Sequence, residues 1–141
     1  MTLSLDQARQ IIAATRQEAA RMGFKPLTVV VLDAGGHVLA AEREDNSSNG
    51  RFQIAFGKAH GALSLGMGSR SLMARAEQQA YFIAAATSAI GGALVPVPGG
   101  VLVRDGETLI GAVGVSGDSS DNDEAAAVAG ISATGLVAQP D

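Results

Sequence analysis

The segment VLVRDGETLIGAVGVS, residues 101–116, constrains the fold more than any other part of the sequence. Two runs rich in Val, Leu and Ile flank Asp105-Gly106, and an Asp-Gly pair in this position favours a two-residue β-hairpin turn. The runs LTVVVLD and HVLAAERED, joined by Ala-Gly-Gly, predict a second hairpin. Because hairpins pair their strands antiparallel, we expect a mainly antiparallel sheet.

Helical patterns surround these hairpins. Ser4 and Gln7 have the spacing of a capping box, and Gly23 is expected to end the first helix. Further helices are expected at about 51–66, 74–90 and 121–134. The apolar stripe expected on the first helix comprises Leu5, Ala8, Ile12, Ala19 and Met22.

The segment ALVPVPGG cannot be an inner strand throughout, because Pro96 and Pro98 lack the N–H that a ladder needs. It is expected to be an edge strand or a crossing segment. The whole pattern predicts one compact α+β domain over residues 1–141, with an antiparallel sheet of about five strands and helices packed on it.

Composition excludes several classes of function. The sequence contains no Cys, which removes disulfides, thiolate nucleophiles and Cys-ligated metal centres. The formal net charge is −4 and basic residues are not clustered, so a nucleic-acid partner is not expected. The N-terminal residues lack the apolar core of a secretory signal, and no apolar run is long enough for a membrane helix. We therefore expect a cytoplasmic protein with no membrane partner.

A cluster of acidic residues, Asp118, Asp121, Asp123 and Glu124, follows the second hairpin. An EF-hand calcium loop would require Gly where Asp123 stands, so that motif is not matched. Capping of the last helix, with Asp121 as N-cap and Glu124 in the first turn, is the favoured interpretation. A ligand-contacting loop and a magnesium site are the alternatives, and no residue is assigned as a metal ligand.

Three further residues are candidates for chemistry. Lys58 lies among apolar residues, which predicts either a buried lysine with a lowered pKa or a side chain that extends its ammonium into water. His60 has a partly apolar surround and is the preferred ligand candidate, whereas His37 follows the hairpin glycines and is expected at the surface. The evenly spaced glycines of GAVGVSG favour packing beneath a helix over phosphate binding.

The segments VVVLDAGGHVLAAERED, KAHGAL and PGGVLVRDGETLIGAVGVSGDSSDNDEAAAVAGI resemble the GlcG/HbpS-like domains, a family sometimes labelled haem-degrading. They also resemble the C-terminal part of PduO-type cobalamin adenosyltransferases. The resemblance implies a profilin- or PAS-like sandwich that forms homo-oligomers, and haem or a corrinoid-related partner as ligand. In some relatives haem binding is attributed to a histidine near the N-terminal helix. The helix from Leu5 to Met22 has no histidine, which leaves His60 as the candidate substitute.

Two classes of function follow from these residues. The first is an oligomeric protein that binds a small molecule or cofactor, with haem as the candidate, and supports a catabolic or cofactor pathway. The alternative is a small enzyme acting on an organic acid or carbonyl compound, with Lys58, Asp123 and Glu124 as acid/base catalysts. The sequence leaves the ligand and the reaction open. The candidate ligand-binding residues, which could line one cleft, are His60, Lys58, Gly99, Gly100, Ser116 and Gly117.

Overall fold

The computed structural model describes residues 2–141. Within these residues there are five helices and five strands, which is the α+β class that the sequence predicted. The elements in chain order are α1 (Leu5–Met22), β1 (Thr28–Asp33), β2 (Val38–Arg43), α2 (Arg51–Leu65), α3 (Ser69–Gln78), α4 (Ala80–Ala89), β3 (Gly100–Asp105), β4 (Thr108–Ser116), α5 (Ser120–Ser132) and β5 (Val137–Gln139).

All five strands form one antiparallel sheet in the order β2-β1-β4-β3-β5. The two hairpins are joined through β1 and β4, where Thr28 pairs with Ser116 and Asp33 with Gly111. Strand β1 is buried along most of its length because it lies between β2 and β4 and is covered on both faces. The prediction of a single antiparallel α+β domain is therefore confirmed.

The sheet separates two cores. Val29 and Val31 pack with α1 and α5 on one face, which we call the α1/α5 face. Val30 and Leu32 pack with Ala55 and other small residues of α2 on the opposite face, the α2 face. This alternation follows from the two-residue period of side chains along a strand. A smaller cluster formed by Leu72, Ile83 and Leu94 joins α3 and α4 to the segment before β3.

The signals that bound α1 act as predicted. The Ser4 hydroxyl accepts from the Gln7 amide while the Gln7 side chain accepts from the Ser4 amide, and Gly23 ends the helix in the left-handed conformation. The predicted stripe is wrong at its two ends, because Leu5 and Met22 are exposed. The residues of α1 that face the core are Ala8, Ile11, Ile12, Thr15 and Ala19.

The glycines of β4 allow α2 to approach the sheet closely. A Cβ placed on Gly114 would lie 1.9 Å from the carbonyl oxygen of Ala55, a distance that no side chain can occupy. The prediction that these glycines pack beneath a helix is confirmed at Gly114. The close approach is what brings the Lys58 side chain of α2 to the end of β4.

Several local predictions are wrong. The helix expected at 74–90 is two helices, α3 and α4, separated at Gln79, whose backbone is not helical. The prediction for ALVPVPGG is by contrast confirmed, since residues 93–99 are a crossing segment, in which the Val95 amide donates to the carbonyl of Gly57. The turn of the second hairpin is Gly106–Glu107, because Asp105 pairs with Thr108. Strand β5 was not predicted.

Candidate functional site

A buried ion pair joins the helices on the two faces of the sheet. The Lys58 ammonium of α2 donates to the Asp123 carboxylate of α5 at 3.1 Å and to the carbonyl of Val115 at 2.8 Å. The second carboxylate oxygen of Asp123 accepts from the amide of Asp118 at 2.9 Å. The side chains of Lys58 and Asp123 are only 2% and 1% exposed. The pair is therefore enclosed by protein.

Burial shifts the pKa of both partners toward the neutral form. Desolvation lowers the pKa of the Lys58 ammonium, and the neighbouring Asp123 carboxylate opposes this effect. Desolvation likewise raises the pKa of Asp123, against the attraction of Lys58 and the amides of Asp118 and Gly117. The prediction of a buried lysine with a lowered pKa is the one that the structure bears out, and the solvated alternative is wrong.

Glycine residues surround the buried pair. Gly99 has φ of +125°, and a Cβ there would lie 2.8 Å from the Lys58 Nζ. Gly100 is held by the Ser69 hydroxyl, which accepts from its amide at 2.7 Å. Any side chain at Gly100 would meet the Lys58 backbone carbonyl. These glycines therefore pack directly against Lys58, and the role of Ser69 was not predicted from the sequence.

Ser116, Gly117 and Glu124, the other residues predicted to lie near Lys58, each have a partner of their own. The Ser116 hydroxyl accepts from the Arg51 guanidinium at 3.1 Å, and the Gly117 amide faces Asp123. Glu124 points away from the pair and accepts from Arg70 of α3 at 3.0 Å. The structure thus places Asp123 against Lys58, with Ser116 and Gly117 in the adjoining segment after Val115, and leaves Glu124 outside.

The acidic segment has a structural partner for each carboxylate. Ser119, rather than Asp121, is the N-cap of α5 and accepts from the Asn122 amide, which corrects the prediction. Asp121 lies in the first turn and pairs with Arg70. Asp118 accepts from the Lys25 amide at 2.7 Å, and this bond with those from Ser119 and Asn122 lowers its pKa. Within residues 2–141 no group of three potential ligands is placed to hold a metal ion.

His60 is half-buried on α2. Its ring stacks on Phe56 at a centroid distance of 5.3 Å, and its Nδ1 lies 2.9 Å from the carbonyl of Ala93. The other edge of the ring faces the β1–β2 turn, where a Cβ on Gly36 would lie 3.3 Å from the His60 Cδ2. His60 is therefore held between an aromatic side chain and a turn, on the α2 face.

The same turn carries His37 on its other side. His37 is 80% exposed, and its Nδ1 lies 3.2 Å from an oxygen of Asp33. That oxygen also accepts from the amides of Gly35 and His37, and these bonds hold the pKa of Asp33 below its usual value. The sequence placed His37 at the surface correctly but did not reveal its pairing with Asp33. The available signal was the four-residue spacing of Asp33 and His37 across a glycine turn.

An apolar cavity of about 370 Å³, which we call the turn cavity, opens beside this pair. Leu3, Leu39 and Ile110 supply its apolar walls, and Ala34 and His37 lie at the turn that borders it. Leu3 and Ile110 belong to the core of the α1/α5 face. The turn cavity is therefore on the opposite side of the sheet from His60.

The fold and these contacts define an α+β sandwich in which the last helix is tied through a buried Lys–Asp pair to a helix across the sheet. The chain belongs to the family of haem-degrading HbpS-like proteins, whose family model matches residues 3–132. No curated protein matches the chain.

Solved structures of similar fold agree with this assignment. Klebsiella pneumoniae protein ORFY is 27% identical, with a TM-score of 0.86 over 96% of this chain and 92% of its own. A double mutant of Streptomyces reticuli HbpS is 26% identical, with a TM-score of 0.80 over 94% and 87%. The PduOC–haem complex is 24% identical, with a TM-score of 0.86 over 96% and 97%, a likeness that shows the fold. Each is similar to this chain over nearly its whole length.

Proposed function

We propose that this protein binds haem as its small-molecule ligand and supports a catabolic or cofactor pathway. The observation that carries the proposal is the match to the haem-degrading HbpS-like family over residues 3–132. The PduOC–haem complex, which has the same fold, is a second line of support. The proposal is tested by the affinity of the purified protein for haemin.

The residues of this chain fit such a ligand. Haem iron requires an axial donor such as a histidine nitrogen, and the sequence has two histidines and no Cys. In both His37 and His60 the Nδ1 faces a fixed oxygen, which leaves the Nε2 as the coordinating atom. The turn cavity supplies apolar surface of the kind that ligand sites use. When bound, haem would supply a redox-active iron, and the protein would hold and orient it.

The test is a haemin titration of the full chain followed by Soret absorption. We expect a saturable shift near one haem per subunit. A double variant, His37→Ala with His60→Ala, is the matched control because it removes both imidazoles, and circular dichroism checks that its fold survives the loss of the His60 stacking on Phe56. A shift that never saturates in the native chain would refute haem binding.

We also propose that the protein works as a homo-oligomer through the exposed face of α4. Helix α4 contains no charged residue, yet Ile83 is its only buried side chain. Tyr81, at 73% exposed, lies on a stripe with Ala84 and Ala85 at helical spacing. Small side chains on such a stripe allow two helices to pack closely, and a chain of net charge −4 meets least self-repulsion at an uncharged face.

Light scattering after size exclusion tests this interface. We expect Ala85→Glu to shift the native protein toward a smaller species, because a charge would be buried in the contact. Ala74→Glu, on the exposed side of α3, is the control and is expected to leave the assembly unchanged. Identical masses for all three proteins would exclude α4 as the contact.

The acid/base alternative gains no support from the geometry. Lys58 and Asp123 are enclosed, and Glu124 is paired with Arg70, so a substrate meets none of the three in an open cleft. Their catalytic roles, and the ligand roles of the glycines beside them, stay predictions. Among the helices described, none is long and apolar enough to span a membrane. The cytoplasmic location also stays a prediction.

A further inference from the structure

We infer that His37, positioned by Asp33, is the axial ligand of the haem iron, and that the turn cavity receives one edge of the porphyrin. This inference rests on the proposed function and adds to it the ligating atom and the face of the sheet. It differs from the expectation drawn from the sequence, which favoured His60.

Asp33 fixes the orientation of the His37 ring. One Asp33 oxygen accepts from the Gly35 amide at 2.9 Å and from the His37 amide at 3.0 Å, so it acts as an acceptor. The same oxygen lies 3.2 Å from the His37 Nδ1, which must therefore carry the proton. The lone pair is then on Nε2. Histidines that bind metals commonly have their other nitrogen held by a carboxylate in this way.

The turn cavity lies beside the His37 ring. The turn cavity has a volume of about 370 Å³, and Leu3, Leu39 and Ile110 form its apolar part. Its other lining residues are Thr2, Asp33, Ala34, Gly35 and His37. A cavity of this size admits part of a flat macrocycle and leaves the remainder against the outer surface. The edge of a porphyrin is apolar except at its two carboxylates, so the apolar walls match the ring edge. The carboxylates would then extend into water, away from Asp33.

His60 is less accessible to a wide ligand than His37. Its ring is stacked on Phe56 and faces the turn near Gly36, so protein covers both its flat side and its free edge. Among residues 2–141 no comparable cover lies over His37, which is 80% exposed. A ligand as wide as haem therefore reaches the His37 Nε2 without displacing any helix. Reaching the His60 Nε2 would require the β1–β2 turn to move.

The experiment compares haemin titrations of the full native chain with those of His37→Gly and His60→Ala. We expect His37→Gly to lose the Soret maximum of the histidine-ligated form and to regain it when free imidazole is added. We expect His60→Ala to bind haemin like the native chain. Circular dichroism checks the fold of each variant, and the exposure of His37 predicts an unchanged spectrum.

Two further variants test the positioning and the cavity. Asp33→Asn keeps the size of the side chain and removes its charge. We expect it to weaken haemin binding by about 10- to 100-fold, as loss of a partner to a ligating histidine commonly does. Ala34→Trp fills the mouth of the turn cavity without changing His37. We expect it to weaken binding while leaving the Soret position of the remaining complex unchanged.

The outcomes separate the inference from the proposed function. If the native chain saturates with haemin and only His60→Ala loses the histidine-ligated spectrum, the assignment of His37 is wrong and haem binding stands. Full binding by Ala34→Trp would overturn the role of the cavity. If the native chain does not saturate, both the proposed function and this inference fail.

Discussion

The Lys58–Asp123 pair offers a sharp test of how the two faces of the sheet are held together. Its partners are 3.1 Å apart and almost completely buried, so removing either side chain leaves the other without its counter-charge. Breaking a buried pair in this way typically costs about 3–5 kcal/mol of stability. We therefore expect Lys58→Met and Asp123→Leu each to lower the free energy of unfolding by about 3–5 kcal/mol.

The double variant Lys58→Met/Asp123→Leu should be much less damaging than the sum of the two single variants. It leaves no isolated charge, and its remaining cost is the loss of hydrogen bonds to the Val115 carbonyl and the Asp118 amide. Such losses cost about 1–3 kcal/mol per buried group. At the midpoints of these ranges the coupling energy in the cycle is about 4 kcal/mol, slightly above the range usual for residues in contact. Urea unfolding of all four proteins measures it.

The pH dependence gives a second signature of the same pair. The pKa of Asp123 is raised in the folded state, so the native chain holds more protons just above the ordinary carboxyl range and stability falls as pH rises there. The pKa of Lys58 is lowered, so the unfolded chain holds more protons below the ordinary lysine range and stability rises with pH there. The stability advantage of the native protein over the double variant should therefore be smallest at intermediate pH.

Either of two results would refute this reasoning. Single variants within about 1 kcal/mol of the native protein would show that the pair is not buried in solution, because exposed pairs are worth that little. A native stability advantage that peaks at intermediate pH would mean that mutual attraction, and not burial, dominates the pKa of both groups.

Other contacts give smaller and equally specific expectations. Asp118→Ala should lose about 0.5–1.5 kcal/mol, since it removes the acceptor of two exposed backbone amides that water can still solvate. Because the pKa of Asp118 is lowered, the difference in free energy of unfolding between the native protein and Asp118→Ala should shrink as pH falls below the ordinary carboxyl value. Urea unfolding across pH measures it, and a difference that stays constant would contradict the expectation. Gly114→Ala should lower the melting temperature because its Cβ overlaps the Ala55 carbonyl. Gly50→Ala is the control and should leave the melting temperature unchanged, because there is open space around Gly50. Equal melting temperatures for the two variants would show that α2 moves away from the sheet without cost. Arg70→Ala should cost less than about 1 kcal/mol in urea unfolding because its ion pairs are largely at the surface, and a larger loss would indicate a tighter α3–α5 contact.

Much of the fold could be predicted because its signals are local. The capping box of Ser4 and Gln7 and the helix stop at Gly23 depend only on neighbouring residues. Strand β5 could not be predicted, since its three residues are extended only because they pair with β3. The break at Gln79 is similar, because neither Gly nor Pro marks it and the packing of α3 and α4 decides it.

The candidate site was predictable in part. Lys58 could be identified as a candidate because a lysine among apolar residues must be either buried or extended. Its pairing with Asp123 could not be predicted, because 65 residues separate the two in the sequence. The pairing of Asp33 with His37 depends on the conformation of the β1–β2 turn, which the identities of residues 34–37 do not specify. The stacking of His60 on Phe56 is local and could have been read from their four-residue spacing.

The pairing of β1 with β4 has a consequence for how the chain folds. Residues 28–33 find their central partners at residues 111–116, so the sheet cannot close until most of the chain is available. Such long-range pairing raises the loop-closure entropy of the folding transition state and slows folding. During synthesis the edge of β1 that pairs with β4 stays without its partner until the second hairpin has left the ribosome. Refolding from urea should accordingly be slow for a chain of this length, with amide protection in β1 appearing together with that in β4.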